Sequence, residues 1–306
     1  MGAPVQPLDL DKILTGHQLP ALPQSAMRLM ELAKDPKNGP GEFAAPIEAD
    51  PGLTAQLLKF VNSSYFGFAR EVKSVKQAVS LLGARTVKNF VLWTAVFSVM
   101  PNPKSGPFDL KSLRQDSLRR GLLARALAKR IAPKESEDLF AAALLQDLAM
   151  PILAKALPRE YDALIDARRT RGYALSRLER AAFGWDHAEA AARLTSIWNL
   201  PPVLGELIRR HTTIETVFGE APIPRHAAVV ALSSLLPSVL DAEWTERDRF
   251  IDFYSRLVGP EAAPSEELLG EVDRDFAEFG PTLQLEIPAL PLVARFGGVA
   301  EPIAAA

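Results

Sequence analysis

The chain has 306 residues and no cysteine, which excludes disulfides, thiolate catalysis and cysteine-ligated zinc. Hydrophobic residues make up 48% of the chain and charged residues 24%, as in ordinary globular proteins. The formal net charge of −2 argues against non-specific binding to nucleic acid or to an anionic membrane.

Neither the N-terminus nor the apolar runs predict export or membrane insertion. The first residues, "MGAPVQPLDLDKIL", contain early acids and lack the basic and apolar regions of a signal peptide. The longest apolar run, "FVLWTAVFSVM" (90–100), is too short to span a bilayer and is interpreted as a core helix. We therefore expect a cytoplasmic protein with no membrane partner.

Helix-starting and helix-ending residues recur through the first hundred positions. Asp50 is an expected N-cap with Pro51 at the first helical position, and Ser74 and Gly83 are the expected start and end of another helix. Apolar residues follow a helical period between these signals. Helices are predicted over 22–34, 50–64, 74–83 and 84–100.

Residues 102–108 are rich in Pro, Gly and Ser and are interpreted as a connector. Six helices are predicted after it, over 109–132, 136–157, 160–172, 175–184, 186–200 and 201–211. Asp186 is the expected N-cap of the fifth of these helices. The C-terminal part is less regular, with a capping-box helix over 264–280 and an extended, proline-broken strap or short strand over 282–296.

No run of alternating strands is predicted, so the fold class is all-α. The connectors at 102–108 and 219–224 suggest three parts. We predict an N-terminal helical subdomain over 14–101, a second helical subdomain over 108–215, and a C-terminal helical extension with an extended tail over 222–306.

The stretch "AAALLQDLAMPIL" (141–153) places two adjacent polar residues, Gln146 and Asp147, in an apolar helix. Burying a carboxylate without a partner costs several kcal/mol, so this pair needs a structural or functional explanation. Asp116, His187 and His211 also lie in apolar helical surroundings. Inward-facing His and Asp residues on neighbouring helices can build a metal site, as a metal-dependent phosphohydrolase requires.

Longer motifs carry a family resemblance. They are "ADPGL", "LLKFVNSSYFG" and "SVKQAVSLLG" in the first half, and "LLQDLA" and "FGWDHAEAAARLTSIWNLPPVLGELIRRH" in the second. On these motifs the chain, over about residues 14–215, resembles the HDOD family of HD-related output domains, which is similar to the HD and HD-GYP phosphohydrolases. The resemblance implies an all-helical fold and a bacterial signalling role, and HDOD domains are usually regarded as non-catalytic output modules.

The resemblance also implies a degenerate HD site at Asp116, Gln146, Asp147, His187 and His211. Gln146 replaces the histidine of the HD pair, Asp147 keeps its aspartate, and Asp116 stands where an earlier helix has a histidine. The final metal-binding aspartate falls near Ser233 or Ser234. Glutamine is a weak, neutral ligand, so we expect no catalytic residue, no bound metal and no cofactor.

Three explanations of these polar residues stay open at this point. They are hydrogen-bonded core residues, a residual weak cation or anion site, or a working catalytic site. The first is favoured, and His187 and His211 also suit positions at the start and end of helices. The function expected is a non-catalytic signal-transduction adaptor that binds an unidentified signalling protein. The alternative is a residual metal-dependent phosphohydrolase or a nucleotide-binding protein, and a nucleotide ligand is not favoured.

The turn "NSSYFGFAR" (62–70) is the predicted partner contact, through Tyr65, Phe66 and Phe68. Its alternative role is a loop folded onto the core, whereas exposed aromatic side chains would anchor in a partner pocket. The arginine-rich stretch 168–180 is either a solvated helix face or a contact for an acidic partner or phosphate.

The helix-Gly-helix segment 74–93 superficially resembles a DNA-binding motif. Its second helix is apolar on almost all sides, which indicates burial, so a nucleic-acid partner is not favoured. His17 and His226 match no motif and are expected at the surface or in linkers.

Overall fold

The computed structural model describes residues 8–16, 19–35, 37–103 and 108–297. Within these ranges the chain is helical and contains no strand, so the all-α prediction is confirmed. His17, most of the 102–108 connector and the end of the predicted tail lie outside the described residues.

The α-helices follow one another with short connections. They are α1 (Leu10–Gly16), α2 (Gln24–Leu32), α3 (Pro40–Glu48), α4 (Pro51–Val61), α5 (Val75–Leu82), α6 (Ala84–Val99), α7 (Leu110–Ile131), α8 (Ser136–Leu145), α9 (Met150–Ala156), α10 (Pro158–Arg171), α11 (Leu175–Phe183), α12 (His187–Ile197), α13 (Pro202–Arg210), α14 (Ile214–Gly219), α15 (Arg225–Ser233), α16 (Arg247–Val258), α17 (Ser265–Phe279) and α18 (Leu292–Phe296). Short 3₁₀ turns occupy Pro133–Glu135 and Gly280–Leu283.

The predicted helix starts are correct where a side chain caps the helix. Three predicted caps accept the expected backbone N–H: Asp50 from Leu53 at 3.0 Å, Ser74 from Gln77 at 3.2 Å and Asp186 from Glu189 at 3.0 Å. The capping box predicted for 264–280 is wrong, because α17 starts after Pro264 with no side-chain cap. Helices α1, α3, α14 and α16 were not predicted.

The single helix predicted over 136–157 is also wrong, because residues 146–149 form a turn between α8 and α9. Pro151 explains the break, since proline has no N–H to donate to the carbonyl of Asp147 and its ring would clash with that carbonyl. The Asp147 carbonyl instead accepts from the Met150 N–H at 3.0 Å. The Gln146–Asp147 pair therefore lies at a helix junction in the core.

Segment 133–156, taken as one unit, is long and apolar enough to cross a membrane by length and composition. This corrects the expectation that no such segment exists. However, 83% of its apolar window is buried against other helices, as in a core helix of a globular fold.

Helix α7 lies at the centre of the molecule. It packs against α8 on one side and against α15 and α17 on others, and the three predicted parts of the chain contribute to one continuous hydrophobic core. Its side chains are buried along most of its length. The second helix of the 74–93 segment, α6, buries Val87, Phe90, Val91, Leu92, Trp93, Val96 and Phe97.

The extended strap predicted over 282–296 is shorter in the structure: it covers 284–291, runs beside α7 and leads into the helix α18. Three side chains of α7 donate to its carbonyls and to the preceding turn: Arg114 to Leu283 at 3.3 Å, Gln115 to Glu286 at 2.7 Å and Arg119 to Leu290 at 3.4 Å. The carboxylate of Asp273 then accepts the first two N–H groups of α18 at 2.9 and 3.0 Å.

Candidate functional site

Three of the five predicted site residues meet in one buried cluster of side chains, called the pocket below. Asp147 comes from the turn between α8 and α9, His187 from the first position of α12, and His211 from the end of α13. Asp147 Oδ1 lies 3.4 Å from His187 Nε2 and 3.5 Å from His211 Nε2, and the two Nε2 atoms are 3.2 Å apart. These residues are 5%, 6% and 1% exposed, so the pocket is closed to solvent.

Neighbouring groups fix both imidazole rings. The Nδ1 of His187 is 2.5 Å from Oε2 of the fully buried Glu179, and the His187 backbone N–H donates to the same oxygen at 2.9 Å. The other Glu179 oxygen accepts from the Tyr161 hydroxyl at 2.6 Å. His211 Nδ1 lies 2.6 Å from the Ile208 carbonyl, so that nitrogen carries a hydrogen.

Arg120 on α7 forms an ion pair with Oδ2 of Asp147. The guanidinium is 14% exposed and the carboxylate 5% exposed, so both charges are largely desolvated. Burial raises the pKa of Asp147, but the charge of Arg120 and hydrogen bonds from both histidines outweigh it and hold the pKa well below its usual value. Asp147 is therefore an ionised carboxylate with its own cation.

The pKa of His187 shifts in the opposite direction to that expected for a buried histidine. Burial lowers this pKa, whereas the charge of Glu179 and hydrogen bonds to Asp147 and Glu179 raise it, and the net shift is well above its usual value. The raised pKa favours the imidazolium form of His187, which has no free lone pair for a metal. Both ring nitrogens of His187 already face carboxylate oxygens.

Gln146 faces a different group. Its Oε1 accepts from the Ser233 hydroxyl on α15 at 3.2 Å, while its buried Nε2 has no hydrogen-bond partner within the described part of the chain. The neighbouring Ser234 hydroxyl donates to the His211 carbonyl at 3.0 Å. Ser233 and Ser234, the positions near which the final metal-binding aspartate was expected, therefore contact the pocket through their hydroxyl groups.

Asp116 points towards the loop that follows α15. Its Oδ1 accepts from the Val239 N–H at 2.8 Å, and burial raises the pKa of its carboxyl group. Two ends of the Asp241 carboxylate accept from Arg168 at 2.6 Å each, which holds the same loop in place. Part of the arginine-rich stretch 168–180 thus makes internal contacts.

The sequence of the chain matches that of known proteins. The family model of the HDOD domain matches residues 19–214. The chain belongs to the HDOD family. An uncharacterized protein of Treponema pallidum is 27% identical to this HDOD chain over 194 residues, which are 63% of this chain and 37% of that relative. The chain thus spans well under half the length of that curated relative.

Solved structures share the HDOD fold. An HDOD domain protein of unknown function from Geobacter sulfurreducens has a TM-score of 0.69 at 20% identity, covering 91% of this chain and 97% of its own. A protein from Shewanella amazonensis named "Putative phosphohydrolase" has a TM-score of 0.67 at 20% identity, covering 95% and 99%. These likenesses establish the fold.

The HDOD pocket retains part of a metal-ligand set. Asp147, His187 and His211 each offer one donor atom, and these atoms lie within 4.8 Å of one another. The present arrangement does not fit a divalent ion, because Arg120 already neutralises the carboxylate and both nitrogens of His187 are engaged. The absence of a bound metal stays a prediction.

The aromatic turn of this HDOD chain lies apart from that pocket in the chain's first half. Phe68 is 37% exposed, whereas Tyr65 and Phe66 are half-buried against the core. The Tyr65 hydroxyl accepts from Arg125 at 2.9 Å, and burial raises its pKa to about 12. Its use as a partner contact stays a prediction.

Sequence reasoning missed two residues of the pocket, Arg120 and Glu179. Arg120 lies four residues after Asp116, and residues four apart in a helix share one face, so α7 directs both towards the same region. Glu179 is the one acid on the face of α11 that carries Leu175 and Phe183, and an acid in such a setting is the signal that identified Asp147.

Proposed function

We propose that this HDOD chain is a non-catalytic signal-transduction output domain that acts by binding a protein partner. The Arg120–Asp147 ion pair is the observation that carries the proposal. A guanidinium neutralises the carboxylate that the HD resemblance assigns to a metal. It cannot lower the pKa of a bound water or bind a phosphoryl oxygen as a Lewis acid.

The closure of the pocket supports the same conclusion. Asp147, His187 and His211 are each less than one-tenth exposed, and within the described residues the loop at Val239 covers Asp116. A phosphodiester would need direct contact with these groups to react. A protein partner, in contrast, needs only the outer surface, where the aromatic turn with Tyr65, Phe66 and Phe68 is a candidate contact.

The alternative function is a residual metal-dependent phosphohydrolase or nucleotide-binding protein. The cluster of Asp147, His187 and His211 donors favours it, and the name of the Shewanella amazonensis neighbour points to the same chemistry. Under this alternative, a metal would have to displace Arg120 from Asp147.

Metal content and turnover separate the two functions. The full chain, purified without chelator, is analysed by inductively coupled plasma mass spectrometry and assayed with manganese, magnesium or iron on cyclic dinucleotides, nucleotides and bis(p-nitrophenyl) phosphate. We expect the same background rate for the wild type and for Asp147→Asn. Turnover that Asp147→Asn abolishes, while its thermal melt shows a folded chain, would establish the enzyme. Asp116→His with Gln146→His should also stay inactive, because these changes leave the supporting hydrogen bonds unbuilt.

Partner binding is tested by affinity capture from the cytosol of the source bacterium, with quantitative mass spectrometry. Phe68→Ala should weaken capture of a specific protein, whereas Tyr173→Ala, which removes a somewhat more exposed ring elsewhere, should not. Equal capture by both variants would argue against the aromatic turn as the contact.

A further inference from the structure

A groove runs beside the end of α4 and the loop 62–73. Two adjoining cavities of 590 and 270 Å³ form it, and both are lined by Asn62, Ser63 and Glu71. The first extends over Leu58 and Val72 towards Thr282, and the second ends at Phe68. The two cavities adjoin at these shared residues and form one open groove on the face that carries the aromatic turn.

Internal hydrogen bonds hold the wall of the groove in place without a partner. The Asn62 side chain closes the loop by accepting from the Val72 N–H at 2.7 Å and donating to the Val72 carbonyl at 2.9 Å. The same amide donates to the Leu58 carbonyl of α4 at 2.9 Å. A loop fixed in this way loses little conformational entropy when it binds a partner.

The aromatic end of the groove is also supported from below. Phe68 stacks on Phe66 with ring centroids 6.1 Å apart and an angle of 8° between the planes. Phe66 packs edge-on against the buried Phe60 at 5.0 Å. Phe68 is therefore an exposed ring on a rigid aromatic base, which suits an apolar side chain of a partner.

The charges along the groove are mainly positive, in a chain whose net charge is −2. Lys59, Lys73 and Arg70 line it, with Glu71 as the one acid. Glu71 lies 3.8 Å from the ammonium of Lys73, and among the described residues neither Lys59 nor Arg70 forms an ion pair. Two solvent-exposed cations are thus free to meet a carboxylate.

We propose that this groove binds an acidic peptide segment of the signalling partner, with one apolar side chain on Phe68 and carboxylates beside Lys59 and Arg70. This inference rests on the proposed function, because it names the chemistry of the partner. Leu58 and Val72 supply apolar lining in the part of the groove that Lys59 lines.

A peptide fits this groove better than a small ligand or a nucleic acid. The basic residues and Phe68 are exposed along the rim, whereas small-ligand sites enclose most of the ligand surface. A continuous phosphate backbone needs an extended basic face, whereas this groove has three cations, one of which is paired with Glu71.

The test is a selection of random heptapeptides displayed on phage against the full chain, followed by fluorescence anisotropy on the enriched sequences. We expect acidic peptides that contain an aromatic or aliphatic residue. Lys59→Glu and Phe68→Ala should each weaken their binding about tenfold, and added salt should weaken it further. Lys155→Glu and Tyr173→Ala are the matched controls, since both side chains are exposed and lie outside the groove lining.

Thermal melts show whether each variant is folded, and the exposure of Lys59 and Phe68 predicts native-like melting. Enrichment of basic or uncharged peptides would overturn the proposal. So would failure to enrich any peptide, binding that ignores both groove variants, or stronger binding of a single-stranded oligonucleotide than of the selected peptides.

The turnover assay with Asp147→Asn, run beside the selection, separates this inference from the proposed function. Site-dependent turnover would contradict the non-catalytic function, whatever the peptides do. Failure to enrich acidic peptides, in a chain that shows no turnover, would contradict only the proposal for the groove.

Discussion

Removing the Arg120 guanidinium should destabilise the fold strongly. Arg120→Met keeps most of the side-chain length but leaves the Asp147 carboxylate, 5% exposed, with only the His187 imidazolium, whose charge Glu179 shares. Breaking one side of a buried ion pair costs about 3–5 kcal/mol, because the remaining charge stays desolvated. We expect a loss of that size in the free energy of unfolding, measured by urea denaturation at about pH 7 with the tryptophan fluorescence of the chain as the signal.

Two further variants show whether the charge is the cause. Arg193→Met breaks an ion pair with Asp11 whose side chains are 53% and 61% exposed, and it should cost less than about 1 kcal/mol. Adding Asp147→Asn to Arg120→Met removes the negative charge that Arg120 had balanced and should restore much of the lost stability. A cost below about 1 kcal/mol for Arg120→Met would refute the argument that the two charges of this pair are desolvated.

The pH dependence gives an independent check of the same ion pair. The folded-state pKa of Asp147 lies below its usual value of 3.8, so its contribution is present above that pH and is lost as pH falls through the folded pKa. The difference in unfolding free energy between wild type and Arg120→Met should therefore be large at about pH 7 and shrink in strong acid. A constant difference across that range would contradict the assignment.

Three further predictions concern other parts of the fold. Gly121→Ala on α7 should lower the melting temperature, because the added Cβ would lie 2.7 Å from the Leu144 side chain, whereas Gly41→Ala has no atom within 4 Å and should not. Equal melting of the two variants would contradict this. Burial and the charge of Glu271 raise the pKa of Asp275 to about 6, so its ionisation costs stability as pH rises. Asp275→Asn should therefore raise the melting temperature at about pH 8 and have little effect at about pH 4, and an equal effect at both would refute it. Phe66→Ala should destabilise several times more than Phe68→Ala in urea denaturation, because Phe66 is half-buried on the core and Phe68 is 37% exposed, and the reverse order would contradict the packing.

Local signals in the sequence predicted the helical fold well where one residue type decides the backbone. Asp50, Ser74 and Asp186 cap their helices as expected, because a short polar side chain satisfies a free N–H only at a helix start. The break after Gln146 was missed although Pro151 signals it, since the alanine- and leucine-rich run favours an uninterrupted helix.

The pocket was predictable in part. The family resemblance placed Asp147, His187 and His211 together, and the structure does bring them within contact distance. It gave no information about Arg120, because the resemblance covers ligand positions and an arginine is not a ligand. The direction of Asp116 depends on Val239, more than a hundred residues away, and such a contact leaves no local pattern in the sequence.

The strap over 284–291 has a consequence for the order in which the chain folds. The carbonyls that satisfy Gln115 and Arg119 arrive 171 residues later in the chain, after every other helix that packs on α7 has been synthesised. Arg119 is 1% exposed in the finished fold, so until then its guanidinium must remain hydrated and that face of α7 must stay open. A chain truncated at the family boundary near residue 214 therefore lacks the carbonyls that accept from Gln115 and Arg119, and it leaves this face of α7 uncovered.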